Sequence, residues 1–282
     1  MALAAAGGAC RRAAGDRTYT LQGQVLTVDA PHKQLTVKHE AIKGLMPAMT
    51  MPYEVEDGKL LNGLTPGDLI NATLVIGSNE AHLSTIKRVG SAPLEQPPAE
   101  APAPRASSGF ELLKPGEPVP AGAFVDQDGR KRTFDSFRGE PVLITFIYTR
   151  CPLPTFCPMM DRHFVTIQKT LKQDAGLGRV HLVTVSFDPT YDTPRVLKKQ
   201  ARELNADSAR WTFLTGERDE VDRFAMRFGV SIARAMNDPR DITHNLRTAI
   251  VDADGRLAKI YIGNEWTPEQ VLADLRPIVR AD

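Results

Sequence analysis

The stretch that decides the fold is Pro141-Val-Leu-Ile-Thr-Phe-Ile-Tyr148, followed at once by Thr149-Arg-Cys-Pro-Leu-Pro-Thr-Phe-Cys-Pro158. The first segment is an almost unbroken apolar run, which predicts a strand that is buried on both faces of a sheet. From Met159 to Leu171 apolar residues recur at helical spacing, which predicts an amphipathic helix. Cys151 and Cys157 therefore lie at the turn from a buried strand into a helix.

This position gives the two thiols a definite chemistry. A thiol at a helix N-terminus faces unpaired N–H groups and the positive end of the helix dipole, and both favour its thiolate. Pro158 suits the first helical position, because its missing N–H would have no partner there. The thiolate is the nucleophile of disulfide exchange and also a soft ligand for Cu(I). The alternatives are a structural disulfide or two small buried hydrophobic residues, but 282 residues with 3 cysteines do not form a disulfide scaffold.

Composition and the first residues bear on the location of the protein. A net charge of +1 gives no support for a nucleic-acid or anionic-membrane partner, and no apolar run approaches the length of a transmembrane helix. Within residues 1–16, Met1-Ala-Leu-Ala-Ala-Ala-Gly-Gly-Ala-Cys10 resembles the end of a bacterial lipoprotein signal, with Cys10 as the acylated residue. The likeness implies an exported, periplasmic or membrane-anchored protein. The alternative is an Ala/Gly-rich tail with a stray cysteine.

Residues 17–90 have the pattern of a small β domain. Five short runs separated by turn residues predict strands at Leu21–Val28, Gln34–His39, Met49–Val55, Leu69–Ile76 and His82–Val89. Five strands without a helix indicate a small barrel of the OB kind. OB barrels often bind single-stranded nucleic acid, but here the basic and acidic residues balance and the only aromatic residues are Tyr19 and Tyr53. A basic groove with stacking aromatic rings is missing, so no nucleic-acid partner is predicted.

One segment of this domain, His39-Glu-Ala-Ile-Lys-Gly-Leu-Met-Pro-Ala-Met-Thr-Met51, suggests a metal site. In a strand Met49 and Met51 point to the same face, and three thioethers with an imidazole suit Cu(I). Methionines that simply fill a small core are the alternative. The segment resembles the CusF-like periplasmic copper-binding domain, which carries a histidine and then Trp-Pro-x-Met-x-Met. The resemblance implies His39, Met49 and Met51 as ligands, with Met46, at the tryptophan position, as a fourth ligand or a hydrophobic lid.

Residues 91–109 separate this domain from the rest of the chain. They are rich in proline and alanine without a period, which predicts an extended spacer. From residue 110 strand patterns alternate with helix patterns, including a second buried strand at Val180–Phe187 and a helix at Glu217–Phe228. This alternation predicts a three-layer α/β domain over 110–282, and the order of its elements resembles thioredoxin-like folds.

Several motifs of residues 110–282 point to one family; they are Phe146-Ile-Tyr-Thr-Arg-Cys-Pro152, Cys157-Pro158, Ser186-Phe-Asp-Pro189 with Asp192-Thr-Pro194, Trp211-Thr-Phe213 and Thr243-His244. With them the domain resembles the Sco (SenC) family of copper chaperones. The resemblance implies Cys151, Cys157 and His244 as copper ligands, for Cu(I) and also Cu(II). It also implies delivery of copper to a partner such as the CuA site of a cytochrome oxidase subunit. The family commonly has three residues between its cysteines, whereas this chain has five.

The competing hypothesis is a thiol-disulfide oxidoreductase that uses Cys151 and Cys157 on partner proteins. Thioredoxin-like oxidoreductases carry a cis-proline in the loop that here reads Asp241-Ile-Thr-His-Asn-Leu-Arg247, and this loop contains no proline. Its histidine, His244, favours the metal site instead. Asp188 follows the second buried strand, and either orients Arg150 or a ligand, or caps the approach to the next helix.

Overall fold

The computed structural model describes residues 16–94, 111–234 and 242–281. The chain divides into two units, with the boundary between Leu94 and Glu95. The predictions for Cys10 and for almost all of the spacer at 91–109 lie outside the described residues. Among the residues that are described, no helix has the length and apolar character needed to cross a membrane.

The first unit is a closed five-stranded barrel, as the sequence predicts. Its strands follow one another around the barrel in the order β1-β2-β3-β5-β4. Their bounds are β1 Arg17–Asp29, β2 Gln34–His39, β3 Met49–Val55, β4 Asp68–Ile76 and β5 Ala81–Ser91. Side chains on one face of each strand fill the interior, because successive residues of a strand point to opposite sides.

The barrel closes tightly at one point of β1. Gly23 pairs with His39 on β2 and with Ile70 on β4. A Cβ atom at Gly23 would lie 2.6 Å from the carbonyl oxygen of Lys38 and 2.8 Å from the Cα of His39. Only glycine allows β1 to approach the end of β2 so closely, and this approach fixes the backbone that carries His39.

The second unit is built on a seven-stranded sheet of the order β14-β13-β8-β9-β10-β6-β7. Its strands are β6 Phe124–Asp126, β7 Lys131–Arg132, β8 Val142–Ile147, β9 His181–Ser186, β10 Trp211–Thr215, β13 Arg247–Val251 and β14 Leu257–Ile262, and a separate two-stranded ribbon is formed by β11 Ile232–Arg234 and β12 Ile242–His244. The α-helices of the described residues are α1 Cys157–Gln173, α2 Pro194–Glu203, α3 Arg218–Arg227 and α4 Pro268–Ala281. This is the predicted α/β domain, in which strands and helices alternate.

The two central strands of this sheet are buried over their full length. Every residue of β8 and of β9 is buried, because both lie inside the sheet with core on each face. They run parallel, with Val142 opposite His181 and Ile147 opposite Ser186. Their carboxyl ends therefore meet at one edge of the sheet, which is where open α/β sheets place their ligands.

One detail of the predicted helix is wrong. Helix α1 begins at Cys157, so Pro158 is its second residue and not its first. The reason is the first turn of the helix, in which the backbone N–H of Met160 donates to the carbonyl of Phe156 at 3.1 Å. Phe156 therefore precedes the helix as its cap residue. The second position also lacks an intrahelical partner for its N–H, and it accepts proline for the same reason.

Candidate metal centre

The fold brings two thiols and one imidazole together at the carboxyl edge of the sheet. Cys151 lies in the loop after β8, Cys157 is the first residue of α1, and His244 is the last residue of β12. Their ligand atoms all lie within 4.8 Å of one another, and Cys157 Sγ is 3.7 Å from His244 Nε2. Within the described parts of the chain, this is the one group of histidine, cysteine and acidic residues whose ligand atoms converge in this way.

The imidazole of His244 is held with its free nitrogen toward the sulfurs. Its Nδ1 lies 3.0 Å from the carbonyl oxygen of Asn245. Because a carbonyl can only accept, Nδ1 carries the proton and Nε2 keeps its lone pair, which faces Cys157. The rings of Phe187 and Tyr148 pack at centroid distances of 4.6 Å and 5.5 Å and fix the plane of the imidazole.

The ribbon that carries His244 is anchored by the side chain next to it. The Oδ1 atom of Asn245 accepts from the backbone N–H of Ser231 at 2.9 Å, and its Nδ2 donates to the carbonyl of Gly229 at 3.0 Å. These two bonds tie the end of β12 to the segment that follows α3. Asn245 therefore supports the histidine through its backbone on one side and its side chain on the other.

The two thiols differ sharply in their electrostatic surroundings. A hydrogen bond from Cys157 holds the pKa of the Cys151 thiol well below its usual value, although burial opposes this. Burial raises the pKa of the Cys157 thiol well above its usual value, and the negative charge of Cys151 adds to the effect. Cys151 is thus the more acidic thiol of the pair, and Cys157 is the less acidic one.

Two buried carboxyl groups, Asp161 and Asp192, lie near this site. The sequence analysis did not identify Asp161, and it included Asp192 only as part of a family motif. Asp161 is on α1, and burial raises its pKa to about 7. One of its oxygens accepts from Gln200 Nε2 at 2.6 Å, whereas the other is buried without a hydrogen-bond partner. A carboxyl group in that environment favours its neutral form.

Asp192 fixes the turn that leads to Cys151. Its carboxylate accepts from the backbone N–H of Thr149 at 2.9 Å and from the hydroxyl groups of Thr149 and Ser186, each at 2.5 Å. Burial raises the pKa of Asp192, and these three hydrogen bonds oppose the rise. The network joins the end of β9 to the residue two places before Cys151.

Arg150 is held rigidly beside the cysteines. Its Nε and Nη2 atoms lie 2.9 Å and 2.7 Å from one carboxylate oxygen of Asp188, and its guanidinium lies over the ring of Tyr191, 4.4 Å from the centroid. The sequence left two roles open for Asp188, to orient Arg150 or a ligand, or to cap the approach to the next helix. In the structure its carboxylate orients Arg150.

The first unit holds the second predicted cluster, and His39 is its best-defined member. His39 is 2% exposed, and its Nδ1 donates to the carbonyl of Glu40 at 2.6 Å. The lone-pair nitrogen Nε2 is then buried without a hydrogen-bond partner, and burial lowers the pKa of the imidazole. A neutral, buried and unpartnered imidazole nitrogen is suited to bind a metal.

The three methionines lie around this histidine. Met49 is directly opposite His39 in the β2–β3 register, and Met51 follows two residues later on the same face. Met46 is buried, and a backbone bridge with Ile42 closes the loop that carries it. The methionine sulfurs are the soft donors that Cu(I) prefers.

Tyr53 connects the cluster, and the sequence analysis missed it as a member. Its hydroxyl donates to Met46 Sδ at 3.9 Å, and its ring lies edge-on to His39 at a centroid distance of 5.7 Å. Burial raises the pKa of Tyr53, which keeps the hydroxyl protonated. The alternation of β3 could have found it, because Tyr53 is two residues beyond Met51.

Each unit matches a known family model. Residues 120–280 match the model of the SCO1/SenC family, and residues 18–88 match the model described as the copper-binding periplasmic protein CusF. The SCO1 protein homolog of Bacillus subtilis is 34% identical over 155 residues, which cover 54% of this chain and 78% of that protein. The SCO2-like protein RP587 of Rickettsia prowazekii is 30% identical over 141 residues, which cover 48% of this chain and 64% of that protein.

Solved structures share the fold of the second unit. A SCO1/SenC family lipoprotein from Bacillus anthracis is 25% identical with a TM-score of 0.52, over 60% of this chain and 99% of that one. BsSco is 29% identical with a TM-score of 0.50, over 61% of this chain and 99% of that one. It is described as a member of the Sco family of cytochrome c oxidase assembly proteins in which a disulfide switch was identified. Both likenesses confirm the predicted thioredoxin-like fold of the Sco type.

Proposed function

The chain belongs to the SCO1/SenC family, and we propose that it carries copper and that Cys151, Cys157 and His244 are the ligands. Two thiol sulfurs and one imidazole make a soft donor set that holds Cu(I), and Cu(II) with an added ligand. The observation that carries the proposal is the separation of 3.7 Å between Cys157 Sγ and the lone-pair nitrogen of His244. Copper is also the metal named for the family model that matches the first unit.

The first unit supplies a second Cu(I) site in this proposal. Its ligands are His39, Met49 and Met51, with Met46 as the fourth. The buried and unpartnered Nε2 atom of His39 supports this assignment, because such an atom gains a partner when a metal binds. The bond between Tyr53 and the sulfur of Met46 supports Met46 as a ligand that is oriented toward the site.

The domain arrangement follows from two sites on one chain. Residues 17–90 capture Cu(I), residues 91–109 tether the two units, and residues 110–282 pass copper on. A tether raises the effective concentration of one site at the other without any new contact. The acceptor that we propose is a copper-binding protein such as a cytochrome oxidase subunit, because a relative is described as an assembly protein of that enzyme.

An exported location completes the proposal. One relative of similar fold is described as a lipoprotein, and the model that matches the first unit describes a periplasmic protein. Lipid attachment at Cys10 would anchor the chain facing the periplasm, where thiol pairs are exposed to oxidation.

A thiol-disulfide oxidoreductase remains the second candidate. The observation that favours it is the contrast between Cys151, whose pKa is lowered, and Cys157, whose pKa is raised by burial. A half-buried thiolate that attacks and a fully buried thiol that resolves form an arrangement suited to disulfide exchange. Reduction of the acceptor's own thiols before copper transfer would use the same pair.

The test is Cu(I) binding to the full, reduced chain, measured by competition with a chromophoric chelator. We expect two bound ions in the wild type, and a loss of at least tenfold in affinity at one site for His244→Ala and at the other site for His39→Ala. His32→Ala is the control, since His32 is exposed and bound to Asp29. Unchanged affinity in His244→Ala, together with turnover of a disulfide substrate, would favour the oxidoreductase.

A further inference from the structure

The loop between the two cysteines, residues 152–156, is bound by side chains from two other segments. Arg162 on α1 donates from Nη2 to the carbonyl of Pro154 at 2.8 Å. Asn264, which follows β14, donates from Nδ2 to the carbonyl of Thr155 at 2.9 Å. Two successive carbonyls of this loop are thus fixed by donors that belong to different elements of the fold.

The preceding carbonyl of the same loop is also engaged. The carbonyl of Leu153 accepts from the backbone N–H of Phe156 at 3.1 Å, and Cys151 Sγ lies 3.9 Å from the same oxygen. Leu153 is buried, and Phe156 packs against the core. The five residues between the cysteines, 152–156, therefore form a defined turn that is held by hydrogen bonds and by packing against the core.

This turn is the conformation of the free thiols, since Cys151 and Cys157 are not bonded to each other. A disulfide requires the two sulfurs to approach to about 2.05 Å. Cys157 is 2% exposed at the start of α1, whereas Cys151 is half-buried and adjoins the loop. Cys151 is the residue that must move, and it loses its contact with Leu153 when it does.

We propose that Arg162 and Asn264 are positioning residues that hold this loop in its dithiol conformation and thereby disfavour the Cys151–Cys157 disulfide. The proposal rests on the proposed function, in which these cysteines are the copper and redox pair. With glutathione disulfide as oxidant, the two thiols give up two electrons and two protons. A sulfur–sulfur bond forms in the protein, the one in glutathione disulfide breaks, and two glutathione thiols result.

The experiment measures this equilibrium in the full chain with Cys10→Ser, so that only the pair can react. The protein is equilibrated in glutathione buffers of graded ratio, trapped with acid, alkylated and weighed by mass spectrometry. Asn264→Ala is expected to increase the equilibrium constant for disulfide formation about fivefold, the factor that corresponds to one ordinary hydrogen bond. Asn264 is uncharged, so this substitution tests the hydrogen bond apart from any change in charge.

A second variant and a matched control keep the test specific. Arg162→Met is expected to act in the same direction as Asn264→Ala. Arg179 also donates from Nη2 to a carbonyl at 2.8 Å, that of Gly139, so Arg179→Met removes a similar bond that does not involve the cysteine loop, and it should leave the constant unchanged.

Three outcomes overturn the proposal. The first is an equilibrium constant in Asn264→Ala that equals the wild-type value, even if both redox forms melt at lower temperature, because that is the result of a purely structural role. The second is a smaller constant. The third is an intramolecular disulfide that forms at no ratio in either the wild type or Asn264→Ala. Copper binding by His244 is measured separately, so each of these outcomes leaves the copper proposal to its own test.

Discussion

Replacing Asp161 by asparagine is expected to change how the stability of the second unit depends on pH. Burial raises the pKa of Asp161 from 3.8 to about 7. Between these two pH values the folded protein keeps a proton that the unfolded chain has released, so the free energy of unfolding falls as the pH rises. At about 1.36 kcal/mol for each pH unit, the full fall is about 4 kcal/mol.

The amide introduced by Asp161→Asn does not titrate, so this contribution disappears in the variant. Near pH 4 the two proteins should be almost equally stable, because a protonated carboxyl group and an amide are similar in size and polarity. Near pH 8 the variant should be more stable than the wild type by up to about 4 kcal/mol. Acidic groups whose pKa is lowered, such as Asp126, contribute equally to both proteins and cancel.

Urea unfolding followed by tryptophan fluorescence measures this difference. Both tryptophans, Trp211 and Trp266, lie in the second unit, so the signal is specific to it. The buffers are reducing and free of metal, and the exposed Asp254→Asn is the control for the loss of one acidic residue. If wild type and Asp161→Asn lose the same stability between the two pH values, burial does not raise the pKa of Asp161 and the reasoning is refuted.

Three further predictions concern the two sites. Iodoacetamide should label Cys151 before Cys157, because the pKa of the Cys151 thiol is lowered and that of the Cys157 thiol is raised. Mass spectrometry locates the label, and equal labelling would contradict this. Asp192→Ala should destabilise the second unit by about 3 kcal/mol in urea unfolding, since it leaves buried hydroxyl and N–H donors unpaired; a loss below about 1 kcal/mol would count against the network. Tyr53→Phe keeps the ring but removes the O–H···S bond, and it should weaken Cu(I) binding about threefold in a His244→Ala background. Unchanged affinity in the chelator competition would show that Tyr53 does not orient the sulfur.

Local sequence patterns were sufficient for β8 and α1, the elements on either side of the two cysteines in the second unit. The apolar run before Thr149 predicted a strand buried on both faces, and β8 is buried at every residue. The helical spacing of apolar residues after Cys157 predicted that this cysteine lies at the start of a helix. The prediction placed the first helical residue at Pro158, one residue after the observed start at Cys157. In both cases neighbouring residues determine the structure, so a short window of sequence contains the information.

The residues that support the site were beyond such patterns, because they act through contacts between distant segments. Asn264 binds the carbonyl of Thr155 from 109 residues away, and Asp192 binds Thr149 from 43 residues away. Asp161 falls on the helix as an ordinary polar residue, and only the packing of α1 makes it buried. His244 was found through resemblance to a family, since a lone histidine in a loop has no local signal.

In both candidate histidines the tautomer is set by a hydrogen bond to the backbone, and a backbone acceptor cannot be removed by a side-chain substitution. His39 donates from Nδ1 to the carbonyl of Glu40, and His244 donates from Nδ1 to the carbonyl of Asn245. The acceptor is the main chain of the next residue, so no change of side chain at position 40 or 245 deletes it. The tautomer therefore depends on the path of the backbone. Substitution of Glu40 leaves Nε2 of His39 available to a metal, whereas at position 245 the asparagine side chain also holds that path. A loop of another protein with the same backbone conformation over these two residues would favour the same tautomer, with Nδ1 protonated and Nε2 available to a metal.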